Sequence, residues 1–142
     1  MTSTLPIALC SIFITIGFLH FYWAIGGSLG KSAAIPEIKG RPAFVPSVLA
    51  TTFIGMSFLF SAVLVAARSS LFPSHVPVSI LAWCCDALAF ALCVRAVGDF
   101  RLFGFFKRVT GSRFSRLDTL VYSPLCLALS VGVFLVASGY AV

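Results

Sequence analysis

Two ionisable residues lie inside apolar stretches of the sequence, where a free charge is strongly disfavoured. His20 belongs to the stretch GFLHFYWAIGG over residues 17–27, and Asp86 belongs to LAWCCDALAF over residues 81–90. A charged side chain at the centre of a membrane-spanning helix costs about 3 kcal/mol, so such a residue usually has a partner or a task. His20 and Asp86 are therefore the candidate buried polar residues of the chain.

The two residues do not form an obvious pair. If their helices cross a membrane in the same direction, a rise of about 1.5 Å per residue separates them in depth by roughly 8 Å, so a water or another side chain would have to bridge them. His20 fits either a histidine bonded within the core or one that transfers protons or holds a ligand. Asp86 fits either a structural or a functional carboxylate.

Metal and cofactor chemistry is not indicated by the other ligand-type residues. No second ligand stands at helical spacing from His20, and His75 lies in a separate loop-like stretch. We therefore predict no metal and no cofactor. The five cysteines lie in apolar runs without a C-x-x-C pair, so we interpret them as packing residues. They are Cys10, Cys84, Cys85, Cys93 and Cys126.

The composition indicates that lipid is the solvent of most of the chain. Of its 142 residues, 60% are hydrophobic and 10% are charged, whereas a soluble domain has about 25% charged residues. Apolar runs cover approximately residues 5–26, 44–67, 76–97 and 120–142, each long enough to cross a bilayer as a helix. The predicted fold is an all-α integral membrane protein, a single four-transmembrane-helix bundle over residues 1–142.

The lysines and arginines are concentrated in two loops. Residues 27–43 and 98–119, with the adjoining end of the third run, contain all of them except Arg68. Both loops face the same side of a four-span protein, so the positive-inside rule predicts that they are cytoplasmic and that both termini lie outside. The net charge of +6 then reflects topology, and nucleic acid is not a predicted partner. The nine residues are Lys31, Lys39, Arg41, Arg95, Arg101, Lys107, Arg108, Arg113 and Arg116.

The second basic loop has an amphipathic pattern over Phe100–Thr110. At about 100° per residue, its apolar and basic side chains separate onto opposite faces of a helix. We predict a short amphipathic helix in the membrane interface, its cations against anionic headgroups; the alternative is that the cations only set the topology. The apolar face contains Leu102, Phe103, Phe105, Phe106 and Val109, and the other face contains Arg101, Gly104, Lys107 and Arg108.

Two stretches, HFYWAIGG at residues 20–27 and RAVGDFRLFGFFKRVTGSRFSRLDTLVYSPLC at residues 95–126, carry a family resemblance. The chain resembles a family of small bacterial four-helix membrane proteins known as domain of unknown function 3995. The resemblance implies a bacterial cytoplasmic (inner) membrane location and a characteristic surface formed by the basic loops with His20, but no activity. The matching residues are His20, Trp23, Gly26, Gly27, Gly98, Asp99, Phe105, Phe106, Lys107, Arg108, Asp118, Thr119 and Tyr122 to Cys126.

The favoured function is a non-enzymatic accessory subunit that packs against other membrane helices or forms a homo-oligomer. Small size, short loops and many small residues favour it.

Two alternatives remain. The first is binding or transport of an anionic lipid or amphiphile in a pocket on the cytoplasmic side. The second is a membrane enzyme with His20 as general acid or base, helped by Asp99 or Asp118. The pocket would be lined by His20, Trp23 and Tyr122, and the anionic head would be held by Arg101, Lys107, Arg108 and Arg113.

The predicted topology is open to a reporter test. Alkaline phosphatase fused after Val142 should be active and green fluorescent protein fused there should be dark, because the C-terminus is predicted to lie outside. Both reporters inserted after Gly111 should show the opposite pattern. The reversed pattern at both positions would contradict the charge argument.

Overall fold

The computed structural model describes residues 4–140 and is mostly helical, with four helices long and apolar enough to cross a membrane. The first three are α1 (Thr4–Ala24), α3 (Val48–Arg68) and α4 (Val78–Val97), and the fourth extends over Arg113–Ala137. The four predicted apolar runs are therefore confirmed as helices. Residues 141–142, which end the fourth predicted run, lie outside the described residues.

The fourth helix begins earlier than its apolar run. It consists of α5 (Arg113–Leu117), a π-helical turn (Asp118–Tyr122) and α6 (Ser123–Ala137). The Ser112 side chain accepts a hydrogen bond from the Ser115 amide and caps the helix. Asp118 and Thr119, which come just before the fourth apolar run, lie inside this helix and do not cap it.

The four long helices pack as two pairs, α1 on α3 and α4 on α6, which meet along α3–α4 and α1–α6. Most of the side chains between them are apolar, and Phe13, Val65 and Val133 are each 0% exposed. The outward-facing surface is also apolar, with large exposed residues on every long helix. An apolar core inside an apolar exterior is typical of a bundle that is solvated by lipid.

Gly17 of α1 and Gly55 of α3 bring the first helix pair into close backbone contact. A Cβ added to either glycine would lie 3.1 Å from the carbonyl oxygen of the other. Small residues at such a crossing permit tight van der Waals packing, which is a main source of helix association in lipid.

The two basic loops meet at one end of the bundle. The first contains the short helix α2 (Lys31–Ala34) and the strands β1 (Glu37–Ile38) and β2 (Arg41–Pro42), which pair antiparallel and are a small departure from the all-α prediction. Helix α2 packs against α5, and the Tyr122 hydroxyl donates to the Ala33 carbonyl at 3.2 Å. We call this end, formed by residues 25–47 and 98–119, the basic end.

Residues 98–112 form turns rather than the interfacial helix predicted over Phe100–Thr110, so that prediction is wrong. Positive φ angles at Gly98 (96°), Phe100 (59°) and Gly104 (86°) interrupt any right-handed helix. The chain folds back so tightly that a Cβ on Gly98 would collide with the Phe103 carbonyl, and one on Gly104 with the backbone of Gly98. The helical periodicity of the sequence does not predict that the chain folds back on itself here.

Enlarging the glycine contact should destabilise the bundle. Gly55→Leu should lower the free energy of unfolding by about 1–3 kcal/mol, because the new side chain overfills a tight contact. Equilibrium unfolding in mixed micelles measures the effect, with Ala87→Leu on the exposed face of α4 as the matched control. Equal stability of the two variants would contradict the close approach.

Candidate functional site

The carboxylate of Asp118 lies at the centre of the basic end, with its side chain 0% exposed. Its Oδ1 accepts a hydrogen bond from Arg95 Nη2 at 2.9 Å. Its Oδ2 accepts one from the Gly104 amide at 2.7 Å and one from Lys107 Nζ at 3.1 Å. One buried carboxylate therefore connects the end of α4, the following loop and the fourth helix.

Lys107 is enclosed as completely as its carboxylate partner, with its side chain 2% exposed. Its ammonium also donates to the Gly104 carbonyl at 2.9 Å and to Thr119 Oγ1 at 2.6 Å. An ammonium has three N–H donors, and each here has one acceptor. A buried charge is tolerated when it is paired and fully hydrogen-bonded, and Lys107 meets both conditions.

Arg95 completes the cluster from the last turn of α4. Its guanidinium carbon lies 5.0 Å from the centroid of the Phe103 ring, a cation–π contact that holds the loop against the helix. Its side chain is 35% exposed, so this ion pair is screened more than that of Lys107. We call Arg95, Lys107 and Asp118, with the Gly104 amide, the Asp118 cluster.

A second carboxylate, Asp99, stabilises the turn that leads into the cluster. Its Oδ1 accepts hydrogen bonds from the amides of Arg101, Leu102 and Phe103 at 2.9, 2.7 and 2.9 Å. Slight burial opposes the shift, but the amide donors outweigh it and hold the pKa of the Asp99 carboxyl below its ordinary value. Both acidic residues of the loop thus have structural partners.

Of the cations predicted to hold an anionic head, Arg101, Arg108 and Arg113 are exposed, whereas Lys107 is buried. Arg116, which the sequence did not single out for this role, is exposed beside them. The sequence grouped Lys107 with the surface cations because a helix over Phe100–Thr110 would place it on the basic face. The structure instead places it inside the Asp118 cluster, with no N–H left for a ligand.

His20, Trp23 and Tyr122 lie around the first basic loop. The His20 ring is half-buried, with Nδ1 2.8 Å from the Ile16 carbonyl oxygen, and it packs against Trp23 and Phe58 at centroid distances of 5.0 and 5.5 Å.

Trp23 and Tyr122 hold neighbouring parts of that loop. Trp23 Nε1 donates to the Leu29 carbonyl at 2.8 Å, and Tyr122 bonds to Ala33. Asp99 and Asp118, which the enzyme hypothesis paired with His20, are engaged in the contacts described above.

Asp86 lies apart from these residues, half-buried in an open groove between α4 and α6. It is therefore less enclosed than the sequence predicted, and the same is true of His20. The two have different neighbours, since His20 contacts α3 while Asp86 faces α6. Within residues 4–140, no group of three His, Cys, Asp or Glu side chains is arranged to hold a metal ion.

The Asp118 cluster is the feature that the sequence reasoning missed. Lys107 was interpreted as a surface cation from its local pattern, and Asp118 was considered only as a possible helper of His20. The available signal was composition: the chain has only four acidic residues, and two of them lie in or beside its most basic loop. A carboxylate among so many cations favours an ion pair.

A sequence model of a family matches residues 13–133, and that family is described as Protein of unknown function (DUF3995). The matched region includes the whole Asp118 cluster, His20 and Asp86. No curated protein and no solved structure matches the chain.

Removing the charge of Asp118 should cost more stability than removing any exposed charge nearby. Asp118→Asn leaves Lys107 buried without a counter-charge and should lower the free energy of unfolding by about 3–5 kcal/mol, whereas Arg108→Gln at the surface should change it by less than about 0.5 kcal/mol. Denaturant unfolding in mixed micelles measures both.

The double variant Asp118→Asn/Lys107→Met separates the ion pair from other effects. Because Lys107→Met removes the charge that Asp118→Asn leaves uncompensated, the double variant should lose much less than the two single losses combined. Additive losses would contradict a direct interaction between these side chains.

Proposed function

The chain belongs to the family described as Protein of unknown function (DUF3995), and from its geometry we propose that it is an accessory subunit that packs against the helices of another membrane protein. All four long helices are inserted in the bacterial cytoplasmic membrane, with the basic end in the cytoplasm and both termini outside. The small loops leave the apolar helix surfaces as the largest area available for contact.

The observation that carries this proposal is that the hydrogen-bonding groups of Lys107 and Asp118 are satisfied within the chain, while Arg95 Nη1 is buried without a partner among the described residues. The enzyme alternative assigns Asp118 to help His20, yet both Asp118 oxygens and the three Lys107 donors already have partners within the chain. Such an arrangement stiffens a surface and leaves neither the Lys107 ammonium nor the Asp118 carboxylate free for a substrate. It supports a role in binding over a role in catalysis.

A second candidate function is the binding of anionic lipid headgroups at the basic end. Four exposed arginines support it, since the two carboxylates of that loop are engaged elsewhere. Exposed phenylalanines lie among them and suit the membrane interface, including Phe100 at 56% and Phe106 at 62% exposed. Each cation near an anionic surface contributes about 1 kcal/mol. The arginines are Arg101, Arg108, Arg113 and Arg116.

Extraction in polymer-bounded nanodiscs, without detergent, tests both functions in one sample. We expect a second integral membrane protein in a fixed ratio, and tagging that protein should retrieve this chain in the same ratio. Mass photometry and protein mass spectrometry measure the assembly, with an unrelated tagged four-helix protein as the control. Recovery of the chain alone, or only with copies of itself, would contradict an accessory role.

The lipids of the same nanodiscs report on the second function. Wild-type discs should be enriched in anionic lipids, and replacing the four exposed arginines with glutamine should remove the enrichment. A matched pair of variants, Arg101→Gln/Arg108→Gln and Lys39→Gln/Arg41→Gln, removes two exposed charges from each loop. The first-loop variant should have the smaller effect. Equal lipid composition in wild type and in the four-arginine variant would contradict headgroup binding by this surface.

A further inference from the structure

Two acidic residues lie in the long helices that the structure describes, Asp86 and Asp118. Of these, only Asp86 lacks a polar partner among residues 4–140. It is the ninth of the twenty residues of α4, near the middle of that helix. Asp118 is paired within its cluster, Asp99 caps a turn, and Glu37 lies in the small hairpin of the first loop. A carboxylate at mid-span cannot obtain hydrogen bonds from lipid tails.

The polar side chains considered as partners for Asp86 within residues 4–140 do not bond to it. The Ser130 hydroxyl, which lines the same groove, donates to the Ala89 carbonyl at 2.7 Å. Arg68, at the end of α3, donates through Nη2 to the Ala137 carbonyl at 2.8 Å. Its Nε has no hydrogen-bond partner among the described residues, and within that part of the chain Arg68 forms no salt bridge with Asp86. No donor among residues 4–140 therefore bonds to the carboxylate, which leaves it open to a donor from another molecule.

The groove that contains Asp86 has the form of a helix-docking surface. Its α4 side contains the small residues Ala89 and Cys93, which permit a close approach. Its rim consists of large apolar side chains that project outward, Phe90 at 72%, Val131 at 54% and Phe134 at 57% exposed. A helix that lies between these side chains would be held by packing and would cover the carboxylate.

The charge of Asp86 indicates which kind of helix could occupy the groove. A second copy of this chain docked through the same groove would be related by a two-fold axis, which would bring two Asp86 carboxylates towards each other. Like charges in a medium without water disfavour that arrangement. A lysine or arginine on a foreign helix would instead form the ion pair that the groove lacks.

We propose that the groove between α4 and α6 is the docking surface for a transmembrane helix of a different protein, and that this helix carries a lysine or arginine at the depth of Asp86. The proposal rests on the accessory-subunit function proposed above and names the surface and chemistry through which that function operates.

A defined helix tests the chemistry of the groove. The probe is a leucine–alanine transmembrane peptide with one central lysine, and its matched control has leucine at that position. Energy transfer between the labelled peptide and the full chain in vesicles measures association. The lysine peptide should bind about 3- to 30-fold more tightly than the leucine peptide, as expected for a polar contact within a membrane.

The variant Asp86→Asn should abolish the difference between the two peptides while leaving the unfolding transition in place. Equal binding of both peptides to the wild type would overturn the proposal, as would a lysine preference that persists in Asp86→Asn. Stronger energy transfer between two labelled copies of the chain than between chain and peptide would assign the groove to self-association and would also overturn it.

Photo-crosslinking in cells separates failure of this surface from failure of the accessory role. Benzoylphenylalanine in place of Phe90 on the groove rim should crosslink to a protein whose identified transmembrane segment carries a lysine or arginine. The matched control replaces Phe60, which is 68% exposed on α3. Protein crosslinks only from position 60 would be consistent with the accessory role but would overturn the groove as its docking surface. The absence of protein crosslinks from both positions would contradict the accessory role and the docking surface.

Discussion

The arrangement of the basic end depends on one buried carboxylate held between two cations. Asp118 connects Arg95 at the end of α4, Lys107 in the following loop and its own position in the fourth helix. Without it, Lys107 would be an unpaired charge inside an apolar structure, and the tight return at Gly98 and Gly104 would lose its anchor. The loop is thus ordered by electrostatics and amide hydrogen bonds rather than by regular secondary structure.

The long helices were predictable from the sequence because hydropathy and length decide them almost alone. The course of residues 98–112 was not predictable from the sequence, although its apolar and basic residues have the spacing of an amphipathic helix. Asp99 accepts hydrogen bonds from three backbone amides of the loop, and Asp118 accepts one from a fourth. These hydrogen bonds stabilise the turns over the helix that the periodicity predicts. Such contacts join residues as far apart as 23 positions along the chain, which no local pattern reveals.

The candidate functional residues were predicted unevenly for the same reason. His20 and Asp86 were recognised because an ionisable residue in an apolar run is conspicuous by itself. Lys107 was misassigned because its burial depends on a carboxylate that is distant in sequence. The two acidic residues of the long helices differ in where their partners lie. Asp118 has its partners within the molecule. Asp86 lies in the groove between α4 and α6, and we assign its partner to another protein.

Solid-state nuclear magnetic resonance of the ¹³C- and ¹⁵N-labelled chain in lipid bilayers tests the central claim most directly. The 3.1 Å separation of Lys107 Nζ and Asp118 Oδ2 predicts strong magnetisation transfer between this ammonium nitrogen and the carboxylate carbon, with slow exchange of the ammonium protons. No transfer between them, with rapid exchange of the Lys107 protons with water, would contradict the buried ion pair and the account of the basic end built on it.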